Sequence, residues 1–116
     1  MNSDIADLQF ALREFAKERD WEQFHSPKNL ASALSVEAAE LLEHFQWLTD
    51  EQSRLLPDSK LGAASEELAD IFLYLLQLSD KLGVDLIAAA RQKMLANAKK
   101  YPVELAKNIN NKYTEL

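Results

Sequence analysis

The sequence predicts an all-α fold, a bundle of four helices, on three observations. Apolar residues recur at steps of three and four over long stretches. Helix-capping residues stand just ahead of those stretches. Only two Gly and three Pro occur in 116 residues, too few for the turns that a β-sandwich needs about every 8–12 residues. The length fits one domain, 1–116.

The first helix is expected from Ser3 to Arg19, with Ile5, Leu8, Leu12 and Phe15 on one face. The segment DWEQFHSP breaks that pattern. Ser26 then caps a second helix, Pro27 fits its first turn, and the helix is expected to reach Leu48. Thr49 to Asp58 reads as a polar link. Ser59 is expected to cap a third helix that ends at Leu82, with Gly83 as its stop. Asp85 caps a fourth, ending near Lys100, before Tyr101-Pro102. The stretch 103–116 is Asn-rich and weakly patterned, and reads as a loose or partner-docked tail.

Composition narrows the function classes. Apolar residues make up 47% and charged residues 28%, enough apolar surface to offset chain entropy. Thirteen basic against 19 acidic residues give a net charge of −6, which argues against a grip on a nucleic-acid polymer. There is no Cys, so disulfides, thiolate metal sites and Cys nucleophiles are excluded. A Cys-free chain suits a reducing cytoplasm. No signal peptide is expected from MNSDIADLQF. The longest apolar run, Ile71 to Leu76, is far short of the roughly 20 residues that span a bilayer, so no membrane partner is expected.

The acids carry the chemistry. On the second helix Leu34, Leu41, Phe45 and Leu48 lie within about 60° of Leu30. Glu37 falls inside this apolar stripe, Glu40 on its edge, and Glu43 outside it. On the third helix Leu61, Ala64, Leu68, Ile71, Phe72, Leu75 and Leu82 form the expected core stripe. Glu67, Asp70 and Tyr74 share the arc beside it, and Glu66 points outward. Each helix thus offers an acid pair one turn apart on one face. Such a pair is most often a solvated face. Glu37 is the exception, because a carboxylate in an apolar stripe is costly unless something pairs it. Four facing carboxylates cannot all stay ionised unaided. A hard divalent cation such as Mg²⁺ resolves the conflict and also binds substrate phosphates.

Other residues complement the acids. Lys93, Asn97 and Lys100 share one stripe of the fourth helix, which suits a polyphosphate, ion pairing with the acids, or snorkelling along the helix. Trp21 and Trp47 suit core, interface or base stacking. Tyr74 suits a core edge or a substrate contact. His25 and His44 read as loop and helix-surface residues. Ala69, Leu73 and Leu76 form a second apolar arc on the third helix, and a helix apolar on two arcs implies an oligomer interface there.

SVEAAE followed by EELADIFLYLL resembles the E-x-x-E and E-x-x-D motifs of the MazG-like nucleoside triphosphate pyrophosphohydrolases. ERDWEQFHSPKNL, HFQW, KMLANAKKYPV and KYTEL resemble the dCTP pyrophosphatase branch. The resemblance covers nearly the whole chain beyond Lys17. It implies a four-helix bundle-like MazG fold, assembled as a dimer or tetramer with sites between helices of associated subunits. It implies Mg²⁺ held by Glu37, Glu40, Glu67 and Asp70, and phosphates bound by Lys93 and Asn97, with Lys100 beside them. An aromatic base pocket would map to Trp21, Trp47 and, near the phosphates, Tyr74. The implied reaction cleaves dCTP or a 5-modified dCTP to the monophosphate and pyrophosphate, cleansing the nucleotide pool. Glu37 or Glu40 would orient or deprotonate a water, and Lys93 would stabilise the developing charge. One departure bears on base choice. The vertebrate enzymes of that branch carry a base-holding His on the first helix, where this sequence has Leu12.

Two other readings predict differently. A ferritin-like di-iron bundle needs two Glu-x-x-His motifs, and this chain has one, Glu22 to His25, beside Pro27. A catalytically silent helical module for oligomerisation or binding would explain the second apolar arc but has no use for Glu37.

Overall fold

Helices are the regular elements of the structure, a computed structural model that describes residues 3–107. They are α1 (Ser3–Glu18), α2 (Pro27–Glu43), α3 (Asp50–Arg54), α4 (Asp58–Leu82), α5 (Leu86–Lys100) and α6 (Val103–Ala106), with a 3-10 turn over Glu22–Phe24. The described residues contain no strand and no helix long and apolar enough to cross a membrane. The chain divides into two compact units between Val84 and Asp85.

In the first unit α4 is the floor. Both α2 and α1 pack against it, α2 the more extensively. Chain breaks set these positions. α1 ends in a Schellman motif: Asp20 takes a left-handed φ of 55°, and Trp21 N–H donates to Ala16 O at 2.8 Å. Asp tolerates that conformation better than most residues. The motif turns Trp21 back toward the helix it has just left. Ser26 caps α2 by accepting from Asn29 N–H at 3.1 Å, and Asn29 Nδ2 donates to Phe24 O at 2.9 Å. These bonds tie the 3-10 turn to α2.

Some boundaries differ from expectation. α2 stops at Glu43, not Leu48, because bonds to the third residue back take over at His44, Phe45 and Leu48. The polar link contains α3, started by a capping box: Thr49 Oγ1 accepts from Gln52 N–H and Gln52 Oε1 accepts from Thr49 N–H. α4 begins at Asp58, with Pro57 in the cap position in place of the expected Ser59. It ends at Gly83, φ 68°, where Val84 N–H donates to Ser79 O.

The two apolar arcs of α4 exchange roles. Leu76 is fully buried, because α1 lies over that side and Gln9 Nε2 donates to Leu76 O and to the buried Ser79 Oγ. Leu73 is half-buried. In the expected core stripe Ala64 is buried, but Leu61, Leu68, Phe72 and Leu82 are 40–57% exposed. Of the arc read as an interface, Leu76 is therefore core and Leu73 partly so, while Ala69 is exposed, and much of the arc read as core is open. A wheel identifies apolar arcs but not which neighbour covers each.

In the second unit Asp85 caps α5 by accepting from Ala88 N–H at 3.0 Å, as expected. Tyr101 N–H donates to Asn97 O at its end. α6 occupies the start of the expected tail. The tail's KYTEL lies outside the described residues.

Candidate active site

Glu37 stands two turns before the end of α2, on the side that packs against α4. One oxygen from each of Glu37, Glu67 and Asp70 lies within 4.8 Å of the other two. Glu40 stands one turn further along α2, within hydrogen-bonding reach of Glu37 and Glu67. The two acid motifs thus meet across the α2–α4 contact. Glu37, Glu40 and Glu67 are half-buried, and Asp70 is exposed.

Their electrostatics are strained. With all four ionised there is no donor among them, and Glu37 Oε2 and Glu67 Oε2 are buried without a hydrogen-bond partner. A proton shared within the cluster would supply the missing donor. The hydrogen bond with Glu67 holds the Glu37 carboxyl above the ordinary carboxylate range. A bond with Glu40 opposes this, while burial and the charges of Glu67 and Asp70 add to the rise. The Glu40 carboxyl is raised as well, first by its hydrogen bond with Glu37 and then by the Glu37 charge. Buried oxygens without donors, in a hard all-oxygen set, fit a divalent cation of the Mg²⁺ or Ca²⁺ kind.

The cluster opens into a cavity of about 420 Å³. Glu37 and Asp70 form part of its wall. α1 contributes Leu8, Leu12 and Phe15; the turn after α1 contributes Trp21 and His25; α4 contributes Leu73, Tyr74 and Gln77. Phe15 and Trp21 meet edge to face, centroids 5.7 Å apart. The Arg19 guanidinium lies 3.5 Å from the Phe15 ring centre. His25 meets Trp21 edge to face at 6.5 Å. One end of the cavity is therefore anionic and the other aromatic and apolar.

The expected site residues separate into three groups. Glu37, Asp70, Tyr74 and Trp21 line this one space, with Glu40 and Glu67 behind the acids. Trp47 stands outside the cavity wall, 86% exposed, in the turns after α2. Lys93, Asn97 and Lys100 belong to α5 in the second unit, where Lys93 and Asn97 are exposed and Lys100 half-buried. Sequence reasoning passed over Phe15, His25 and Gln77 as cavity residues. Gln77 carried a usable signal: it follows Asp70 and Tyr74 on the same face of α4. Phe15 carried one too, since it shares a face of α1 with Leu8 and Leu12; His25 carried none, since it lies beyond the turn at Asp20.

Comparison with known proteins identifies the family. The sequence model of the MazG-like family matches residues 32–116. The chain is similar to dCTP pyrophosphatase 1 of Homo sapiens, 44% identical over 114 residues, which covers 97% of this chain and 67% of that protein. It is 43% identical to dCTP pyrophosphatase 1 of Mus musculus over the same shares of the two chains. A crystal structure of a pyrophosphatase from Archaeoglobus fulgidus DSM 4304 superposes with a TM-score of 0.82 at 40% identity, covering 88% of this chain and 95% of that one. Fold, acid motifs and sequence agree, and the chain belongs to the MazG-like family.

Proposed function

We propose that this chain is a Mg²⁺-dependent nucleoside triphosphate pyrophosphohydrolase acting on dCTP or a 5-modified dCTP, releasing the monophosphate and pyrophosphate. The observation that carries this reading is the shared wall: Glu37 and Asp70 belong both to the carboxylate cluster and to the aromatic cavity. A nucleotide is such a ligand, with an anionic end that needs cations and a flat end that needs aromatic surface. The relatives carry the enzyme class and the base: their names give pyrophosphatase activity and, for the mammalian ones, dCTP.

Glu37, Glu40, Glu67 and Asp70 would hold the cation, which when bound would supply positive charge against the triphosphate and make water more acidic. Glu37 or Glu40 orients the attacking water and accepts its proton. Trp21 stacks on the base, and Tyr74 stands between the base and the phosphates. Lys93, with Asn97 and Lys100, binds the phosphates, an assignment supported by the match of KMLANAKK to the family pattern. Lys93 also stabilises the charge that develops on the phosphate oxygens.

The working form on this reading is a homo-oligomer, a dimer or tetramer, in the cytoplasm. The open stripe of Leu61, Leu68, Phe72 and Leu82 supports it, since contiguous exposed apolar residues on one helix face mark an interface. Trp47 then reaches the base as part of a pocket completed by an associated copy. Net charge −6 keeps nucleic-acid polymers out of this reading.

The test is pyrophosphate release from a panel of dNTPs and NTPs, with and without Mg²⁺. Metal-dependent release with dCTP preferred is the expected result. No release from any triphosphate overturns the reading and leaves a silent helical module as its successor.

A further inference from the structure

The proposed reading leaves open how the cavity tells one pyrimidine from another. Leu12, Leu8 and Leu73 offer no hydrogen bond, and the Phe15 and Trp21 faces stack on any base. The polar groups away from the acids are Tyr74, His25, the Trp21 N–H and Gln77. Tyr74 is one turn from Asp70, close to the anionic end. Gln77 is two turns from Asp70 on the same face of α4, roughly 10 Å along the helix. That separation is about the length of a sugar plus a pyrimidine ring. Trp21 N–H is only a donor, and an imidazole presents a donor and an acceptor on the same ring.

The Gln77 amide differs from these in having a set direction. Its Nε2 donates to Leu73 O at 3.3 Å on its own helix. Its Oε1 accepts no hydrogen bond among the described residues, and the side chain is half-buried. One Nε2 hydrogen is held to the helix, which keeps the amide from turning over and leaves Oε1 in a set place. An acceptor fixed in that place welcomes an exocyclic amino group, as on cytosine, and repels the carbonyl that uracil and thymine carry at the same ring position.

We infer that Gln77 is a specificity-determining residue: resting on the proposed function, its Oε1 selects amino over keto pyrimidines at the far end of the cavity, beside Leu12.

The test compares wild type with Gln77→Met, which keeps length and loses the acceptor, and Gln77→Glu, which keeps the acceptor. Two measurements run in parallel: kcat/KM for dCTP and dUTP, and calorimetric binding of dCMP and dUMP, which needs no turnover. Gln77→Met should narrow the preference for the cytosine nucleotide about 10-fold in both measurements, the worth of one hydrogen bond. Gln77→Glu should retain it. A melting curve for each variant separates these effects from loss of fold. Full cytosine preference in a folded Gln77→Met overturns the inference while the proposed function stands. The same is true if His25→Leu, and not Gln77→Met, removes the preference. If wild type hydrolyses nothing yet binds dCMP over dUMP through Gln77, the inference stands and the proposed function falls. If it binds neither monophosphate, the inference falls.

Discussion

The two ends of the cavity are built on opposite principles. At the acid end, side chains of one charge are forced together, and two buried oxygens lack any donor. At the aromatic end, Phe15, Trp21 and Leu12 pack apolar surface, and the polar Gln77 keeps a bond to its own helix. The acid end is unfavourable until something binds, whereas the aromatic end is close to satisfied alone. A site that must activate water keeps unsatisfied charge in place; a site that must only hold a base does not need to. Four changes break or sharpen this contrast.

Glu37→Gln should have the largest effect. It preserves shape and removes the charge most enclosed by the other acids. Turnover should fall at least about a thousandfold, because both the cation and the proton acceptor are affected. The metal-free melting temperature should hold or rise, since the mutation relieves repulsion. Pyrophosphate release beside a melting curve checks both, and wild-type turnover would remove Glu37 from the metal site.

Cation binding comes next. Mg²⁺ with a non-hydrolysable triphosphate should stabilise wild type by about 2.7 kcal/mol at a ligand concentration 100-fold above Kd. Glu37→Gln should show little of this gain. Equal gains in the two proteins would mean that the cation is held elsewhere.

Trp21→Ala acts on the other end. Base stacking on an aromatic residue is worth about 1–3 kcal/mol, so KM for dCTP should rise roughly tenfold or more, with kcat much less affected. Metal affinity should not change, and titration of Mg²⁺ without nucleotide tests that half. A drop in kcat alone would place Trp21 among the reacting groups and dissolve the contrast between the ends.

The same contrast explains what could be read from the sequence. The acid end was legible because each motif lies within one helix, and an acid in an apolar stripe is visible by spacing alone. Their meeting required only that α2 pack on α4. The aromatic end was not legible as a set. Trp21 and His25 reach the cavity because Asp20 adopts a left-handed φ, and an Asp after a helix does not announce that choice. The exchange of apolar arcs on α4 has the same origin. Leu76 is buried by α1, a neighbour distant in sequence, while Leu68 has the better wheel position and 54% exposure. The capping box at Thr49 and Gln52 was legible in principle, since T-x-x-Q is its signature, yet the surrounding polarity hid a five-residue helix.

The smallest expected effect is the pH dependence of the metal-free protein, and its sign separates the two ends. The Glu37 and Glu40 carboxyls lie above the ordinary glutamate range in the folded chain. The folded state therefore binds more protons than the unfolded state between the ordinary glutamate pKa and those raised values. Stability must then fall as pH rises through that window and level off above it. Carboxylates in favourable ion pairs give the opposite slope. Mg²⁺ should cancel the loss at neutral pH, because the cation takes the place of the shared proton and its affinity grows as protons leave. Glu37→Gln should flatten the metal-free profile, and Trp21→Ala should leave its slope unchanged. Melting temperatures from pH 4 to 8 with and without Mg²⁺ measure all three proteins. A metal-free wild type that gains stability across this window would show the acids to be paired by something other than each other.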